Sequence, residues 1–154
     1  MILRNDAVVR VQLDKSTKLL RATWQQGQLV ASFRAALEWL MEVSRQHGVE
    51  NWLINIDQLP ALDPTEQAWI AQEWFAAMTT TPVQHLALVL PKTSLHNYLV
   101  ATAPVHDLSL APPFDLHFFP DDTSAFEWLL QEAPHRHVLQ QEWEQAGADR
   151  SGPT

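Results

Sequence analysis

The sequence predicts one α/β domain built on a single mixed, mostly parallel five-stranded sheet, in the order β-β-α-β-α-β-α-β-α, that begins with an antiparallel hairpin. Three observations carry this. Two short apolar runs, residues 51–56 and 85–90, flank a helix-length stretch at 64–78, which is the sequence form of a right-handed βαβ crossover. Residues 8–13 alternate and are followed, across the polar turn 14–18, by a second strand at 19–24. A chain of 154 residues suits one core that buries roughly 70% of the unfolded surface, and without cysteine it has neither disulfides nor thiolate metal ligands.

In the first strand Val9, Val11 and Leu13 oppose Val8, Arg10 and Gln12, so one face is buried. After the hairpin, Gln25-Gln26-Gly27 interrupts the pattern and a helix follows over 29–46. Its Val30, Phe33, Leu37, Leu40, Met41 and Ser44 share one face, and Arg34, Glu38, Glu42 and Arg45 lie away from it. Gly48 is the expected C′ residue, and His47 suits the negative end of the helix dipole. Trp39 falls at the edge of the apolar stripe. The second helix opens with Asp63 as N-cap, Pro64 at N1 and Glu66 at N3. Ala68, Ala71, Phe75 and Met78 form one stripe, while Trp69, Ile70, Trp74 and Ala77 spread around the rest of the circumference. A helix apolar on nearly all sides is buried on more than one, by its own chain or by a partner.

After the strand at 85–90, Pro91-Lys92-Thr93-Ser94 starts a third helix and 103–113 is a proline-rich loop. Residues 115–119 form the last strand. Pro120-Asp121-Asp122 then caps a fourth helix with Phe126, Leu129 and Leu130 inward. Beyond 130 the pattern weakens, so 131–154 reads as an extension of the 1–130 domain, with a short helix at 138–145 and a frayed end.

Leu19-Leu20-Arg21-Ala22-Thr23-Trp24, Gly48-Val49-Glu50-Asn51-Trp52-Leu53-Ile54 and Glu73-Trp74-Phe75 stand in this order. With Phe119, Asp121, Asp122 and Phe126-Glu127-Trp128-Leu129, the chain over about residues 5–130 resembles a bacterial family of small STAS-like, SpoIIAA-like proteins, sometimes grouped with CRAL-TRIO lipid-transfer domains. The resemblance implies a cytoplasmic interaction or regulatory module and no catalysis. Members of that kind carry a phosphorylatable Ser in the turn after the third strand. Here the turn is Asp57-Gln58-Leu59-Pro60-Ala61-Leu62-Asp63, with no Ser or Thr before Thr65, so the phosphorylation switch does not carry over.

A net charge of −8 and a pI near 5.2 disfavour nucleic acid as a partner. No apolar run reaches the roughly 20 residues of a membrane span, and the N-terminus lacks a signal-peptide pattern, so a cytoplasmic location is expected. Ligands of open α/β sheets bind beyond the carboxyl ends of the strands, which makes Asp57, Lys92, Thr93, Ser94 and Asp121 the polar candidates. Lys92, Thr93 and Ser94 could hold an anion at a helix start, but an ordinary cap with a solvated Lys92 is the favoured reading, since nearly every helix start looks like this. No nucleophile elbow, phosphate loop or complete metal-ligand set is present, so no cofactor, no metal and no enzyme activity are expected.

Seven tryptophans in 154 residues carry more weight, because tryptophan contributes large apolar area with a polar handle. Trp69, Ile70, Trp74, Phe75 and Trp39 are therefore the candidate contact residues. One reading is a module that docks a second copy, as a homodimer, or another protein through the second helix. The other is a domain that encloses an apolar small molecule or lipid between that helix and the 103–113 loop.

Overall fold

The computed structural model of the chain describes residues 1–25, 30–59, 61–90, 99, 113–131 and 133–151. Within them the alternating run Val9, Val11, Leu13 forms β2 (Val9–Asp14), which pairs antiparallel with β3 (Leu19–Trp24) in the register Val9↔Trp24 to Asp14↔Leu19. Asp14 organises the turn between them: its carboxylate accepts from the Thr17 hydroxyl and backbone N–H and from Ser16 Oγ, and it lies 2.8 Å from His135 Nε2.

The sheet has six strands, one more than the sequence suggests. The additional strand, β1 (Ile2–Asn5), lies antiparallel to β2 at the sheet edge, with a shift in register between Ile2 and Arg4. Four half-buried residues with adjacent Ile2 and Leu3 give no alternation to detect.

Strands β3, β4 (Asn51–Asn55), β5 (His85–Val89) and β6 (Asp115–Phe119) are parallel and adjacent in chain order, giving the sheet order β1-β2-β3-β4-β5-β6. Successive crossovers that advance in one direction with one hand place their helices on the same face. Helices α1 (Val30–His47) and α2, which comprises Pro64–Trp69, Ile70–Trp74 and Phe75–Met78, accordingly share the larger core with Val11, Trp24, Trp52, Ile54 and Leu86. Gly48 ends α1 at a φ of +62°, as its C′ position requires.

The opposite face exposes Leu19, Leu53, Ala87 and Val89, and helices α3 (Asp122–Leu130) and α4 (Arg136–Ser151) cover it with Phe126, Leu130 and Leu139. Helix α4 is twice the length that the weakening pattern suggests, because Leu139, Trp143 and Ala146 recur at helical spacing and are all buried. Its seat on the hairpin is polar. Gln12 Nε2 donates to the Leu139 carbonyl at 2.8 Å, and the buried Arg21 guanidinium lies against Phe126 and Trp143 while donating to Gln140 Oε1. Burial pushes Arg21 down to about 10, against the opposing pull of Asp122, so it keeps its proton at neutral pH. No helix among the described residues is long and apolar enough to cross a membrane.

In the main core, Trp52 Nε1 donates to Ser44 Oγ at 2.8 Å, and Ser44 Oγ donates in turn to the Leu40 carbonyl. Ser44→Ala strands that indole N–H in an apolar interior, and urea unfolding should show a loss of about 1–3 kcal/mol. At the hairpin turn, burial of Asp14 favours the protonated acid, but the hydrogen bonds from Thr17, His135 and Ser16 outweigh it and hold the carboxyl at about 2 against its ordinary 3.8. A depressed carboxyl stabilises the fold at pH values above its unfolded pKa, and this stability disappears as the pH falls through the folded value. Asp14→Asn should therefore cost about 2 kcal/mol at pH 7, with the deficit vanishing between about pH 4 and 2 in unfolding curves taken across that window.

Candidate functional site

Helix α2 starts where the sequence places it. Asp63 Oδ1 accepts from the Glu66 backbone N–H at 2.9 Å, Pro64 occupies N1, and Glu66 Oε2 accepts from Arg34 Nε at 2.9 Å, which ties α2 to α1. Its middle departs from α-helical geometry. Residues 70–74 form a π-helical turn in which the Phe75 N–H donates back to the Ile70 carbonyl, five residues earlier.

That turn resets the phase of the helix. In a regular α-helix Trp69 and Trp74 would point about 140° apart, but the wide turn brings both toward the sheet, with 8% and 6% of their surface exposed. The inward residues of α2 are Glu66, Trp69, Trp74 and Met78, whereas the helical stripe read from the sequence was Ala68, Ala71, Phe75 and Met78. The apolar circumference of this helix is thus largely accounted for inside the chain.

Between α1, α2 and the sheet lies a cavity of about 120 Å³. Its floor is Trp24 from β3, Trp52 and Ile54 from β4, Leu86 and Leu88 from β5, and Leu116 from β6. Phe33 and Leu37 of α1 and Ile70, Trp74 and Phe75 of α2 form the roof, with Ile56, Leu59, Leu62 and Phe114 completing the wall. Every described lining residue is aliphatic or aromatic. The aromatic rings meet at angles: Trp74 and Phe114 are edge to face at 5.9 Å, as are Phe75 and Phe114 at 6.2 Å, and Trp24 is tilted against Phe33 at 5.8 Å. Of the three tryptophans in the lining, Trp52 has its acceptor in Ser44. The indole N–H groups of Trp24 and Trp74 are buried without an acceptor among the described residues.

The sequence candidates divide. Ile70, Trp74 and Phe75 meet at the cavity. Trp69 lies beside it, edge to face with Phe33 at 6.3 Å and under the Arg34 guanidinium at 5.2 Å. Trp39 of α1 is half-buried and packs against the main core, with the Arg4 guanidinium 5.1 Å from its ring centre. Asp57 sits in the turn after β4, where its N–H donates to Asn55 Oδ1 at 2.9 Å, and Asp121 caps α3 by accepting from the Ser124 N–H at 2.7 Å. Lys92, Thr93 and Ser94 lie outside the described residues, as does most of the 103–113 loop, although Phe114 directly after it reaches the cavity.

Sequence reasoning did not single out Trp24, Phe33 and Trp52, because their positions in buried elements already explained them, nor Phe114, which falls between the loop and the last strand. The available signal was their size: two large rings on one face of a small sheet, with Phe33 from α1 and Phe114 beside them, rarely fill space without a gap.

No protein-family model, curated protein or solved structure matches this chain. The STAS-like, SpoIIAA-like resemblance accordingly rests on the residues quoted for it.

Since Trp69 fills a buried position between Phe33 and Arg34, Trp69→Ala should lower unfolding stability by about 3–5 kcal/mol in denaturant titration. A change below 1 kcal/mol would show that its ring is not core.

Proposed function

We propose that this protein is a non-catalytic binding domain for a small apolar molecule, held in the cavity between α1, α2 and the sheet. The carrying observation is the cavity itself: about 120 Å³ bounded, among the described residues, only by aliphatic and aromatic side chains. An apolar cavity of about 150 Å³ in another protein stays dry and takes up benzene, so this smaller one suits a ligand of about five or six non-hydrogen atoms. None of the described lining side chains can act as nucleophile, acid or base, which favours retention of the ligand over its conversion. Docking of a second copy or another protein through α2 would call on Trp69 and Trp74 as contact residues, and both are turned toward the sheet.

Benzene titration tests the proposal. A ligand that binds only the folded state raises its stability by RT ln(1 + [L]/Kd), about 2.7 kcal/mol at a hundredfold excess over Kd. The melting temperature should rise with benzene along that logarithmic curve, and Leu88→Phe, which places a ring in the cavity, should abolish the rise. No rise in the parent protein, or the same rise in Leu88→Phe, would overturn the proposal. Native mass spectrometry adds a separate check, since a clean multiple of the 17.5 kDa chain without bound ligand favours the docking reading instead.

A further inference from the structure

Six of the fifteen described side chains around the cavity are aromatic, and their rings are inclined to one another. Trp74, Phe75 and Phe114 form a corner in which every pair is in ring contact. Phe75 and Phe114 stand at 85° with 6.2 Å between ring centres, Trp74 and Phe114 at 70° and 5.9 Å, and Trp74 and Phe75 at 43° and 5.4 Å. The π turn carries Trp74 and ends at Phe75, whereas Phe114 directly precedes β6, so two distant segments build this corner. Trp52 extends it from the sheet, tilted at 41° against Trp74, and Trp24 with Phe33 forms a second inclined pair at 45°.

We infer that the ligand of this cavity carries an aromatic ring of five or six members, recognised by the corner of Trp74, Phe75 and Phe114. The inference rests on the cavity being a ligand site and specifies the class of molecule that fills it. A volume of about 120 Å³ admits one small ring and little else. An aromatic ring has a negative face and a positive edge, and it prefers an edge-to-face or offset neighbour to a parallel sandwich. Wall rings set at such different angles offer a planar guest an edge in one direction and a face in another, so an aromatic guest continues the packing that the three rings already make with one another. A saturated ring carries C–H groups on every side and has no quadrupole to match. The nine aliphatic lining residues contribute burial to either kind of guest and do not separate them, so the discrimination falls to the aromatic part of the wall.

The test compares benzene with cyclopentane, which has nearly the same volume. Cyclopentane is the less soluble of the two in water, so burial alone ranks it first. Both are titrated into protein labelled with ¹³C at its Ile and Leu methyl groups, and the dissociation constants are read from the methyl shifts. Benzene should bind more tightly, by about 2- to 12-fold for each edge-to-face pair it makes. Phe114→Leu removes the ring common to both edge-to-face pairs while keeping an apolar wall, and it should bring the two affinities together. Leu116→Ile, in the aliphatic part of the lining, should leave the benzene preference as it is in the parent protein. If Phe114→Leu fails to fold, Phe75→Leu takes its place, since it removes the other ring of the 85° pair. Cyclopentane binding as tightly as benzene, or more tightly, would overturn the ligand class and leave the cavity as an apolar site. A benzene preference unchanged by the ring replacement, or reduced as much by Leu116→Ile, would overturn recognition by the aromatic corner. Failure of both probes to bind would overturn the cavity as a ligand site and the ligand class with it.

Discussion

Strand β4 carries Trp52, Leu53 and Ile54 in direct succession, so its alternating side chains commit large apolar groups to both faces of the sheet. Parallel pairing with β3 and β5 leaves those groups no route to solvent, and each face must be covered by helices. Crossovers of one hand supply α1 and α2 to the Trp52 side only. The Leu53 side would stay bare if the chain ended at β6. Helices α3 and α4 meet that need, which gives the weakly patterned C-terminal segment a structural role that composition does not announce.

At the centre of the sheet, β4 and β5 commit apolar groups to both faces; over the antiparallel hairpin, the α4 side is polar. Arg10, Gln12 and Arg21 project there because Val9, Val11, Leu13, Leu20 and Ala22 occupy the opposite side of the same two strands. Helix α4 matches this boundary along its length, with Leu139 in the apolar cluster and Trp143 stacked by the Arg10 and Arg21 guanidinium groups at 4.1 and 4.4 Å. One helix therefore caps a hydrophobic patch with one turn and a cationic patch with the next. Its low overall hydrophobicity follows from that division, and it is also why the sequence suggests only a short helix there.

The elements legible in the sequence were those whose evidence is local. The hairpin follows from alternation, the start of α2 from Asp63-Pro64 and Glu66, the end of α1 from Gly48, and the crossover pair from two apolar runs. β1 was missed because four residues are too few for a period. The phase of α2 was missed because a π turn inserts one extra residue into a 3.6-residue rhythm, and only the uneven spacing of Glu66, Trp69, Trp74 and Met78 records it. Of the residues that line the cavity, Ile70, Trp74 and Phe75 stood among the sequence candidates and those of the β-strands did not. A void depends on how side chains from distant segments fail to fill space together, and no single segment encodes it.

Rings that meet edge to face at 5.9 and 6.2 Å hold one another off the sheet, and the π turn fixes Trp74 where it contacts both Trp52 and Phe114. A regular helix in place of the π turn would rotate Trp74 away and leave the shorter side chains of the predicted stripe facing the core. Each unsatisfied indole donor costs on the order of 1–3 kcal/mol, a large fraction of the 5–15 kcal/mol by which domains of this size are stable. The chain nevertheless carries two such donors beside one cavity, and uses Ser44 to satisfy the third indole a few ångströms into the same core. Helical irregularity, cavity and unpaired donors are three departures from well-packed regularity that coincide in space.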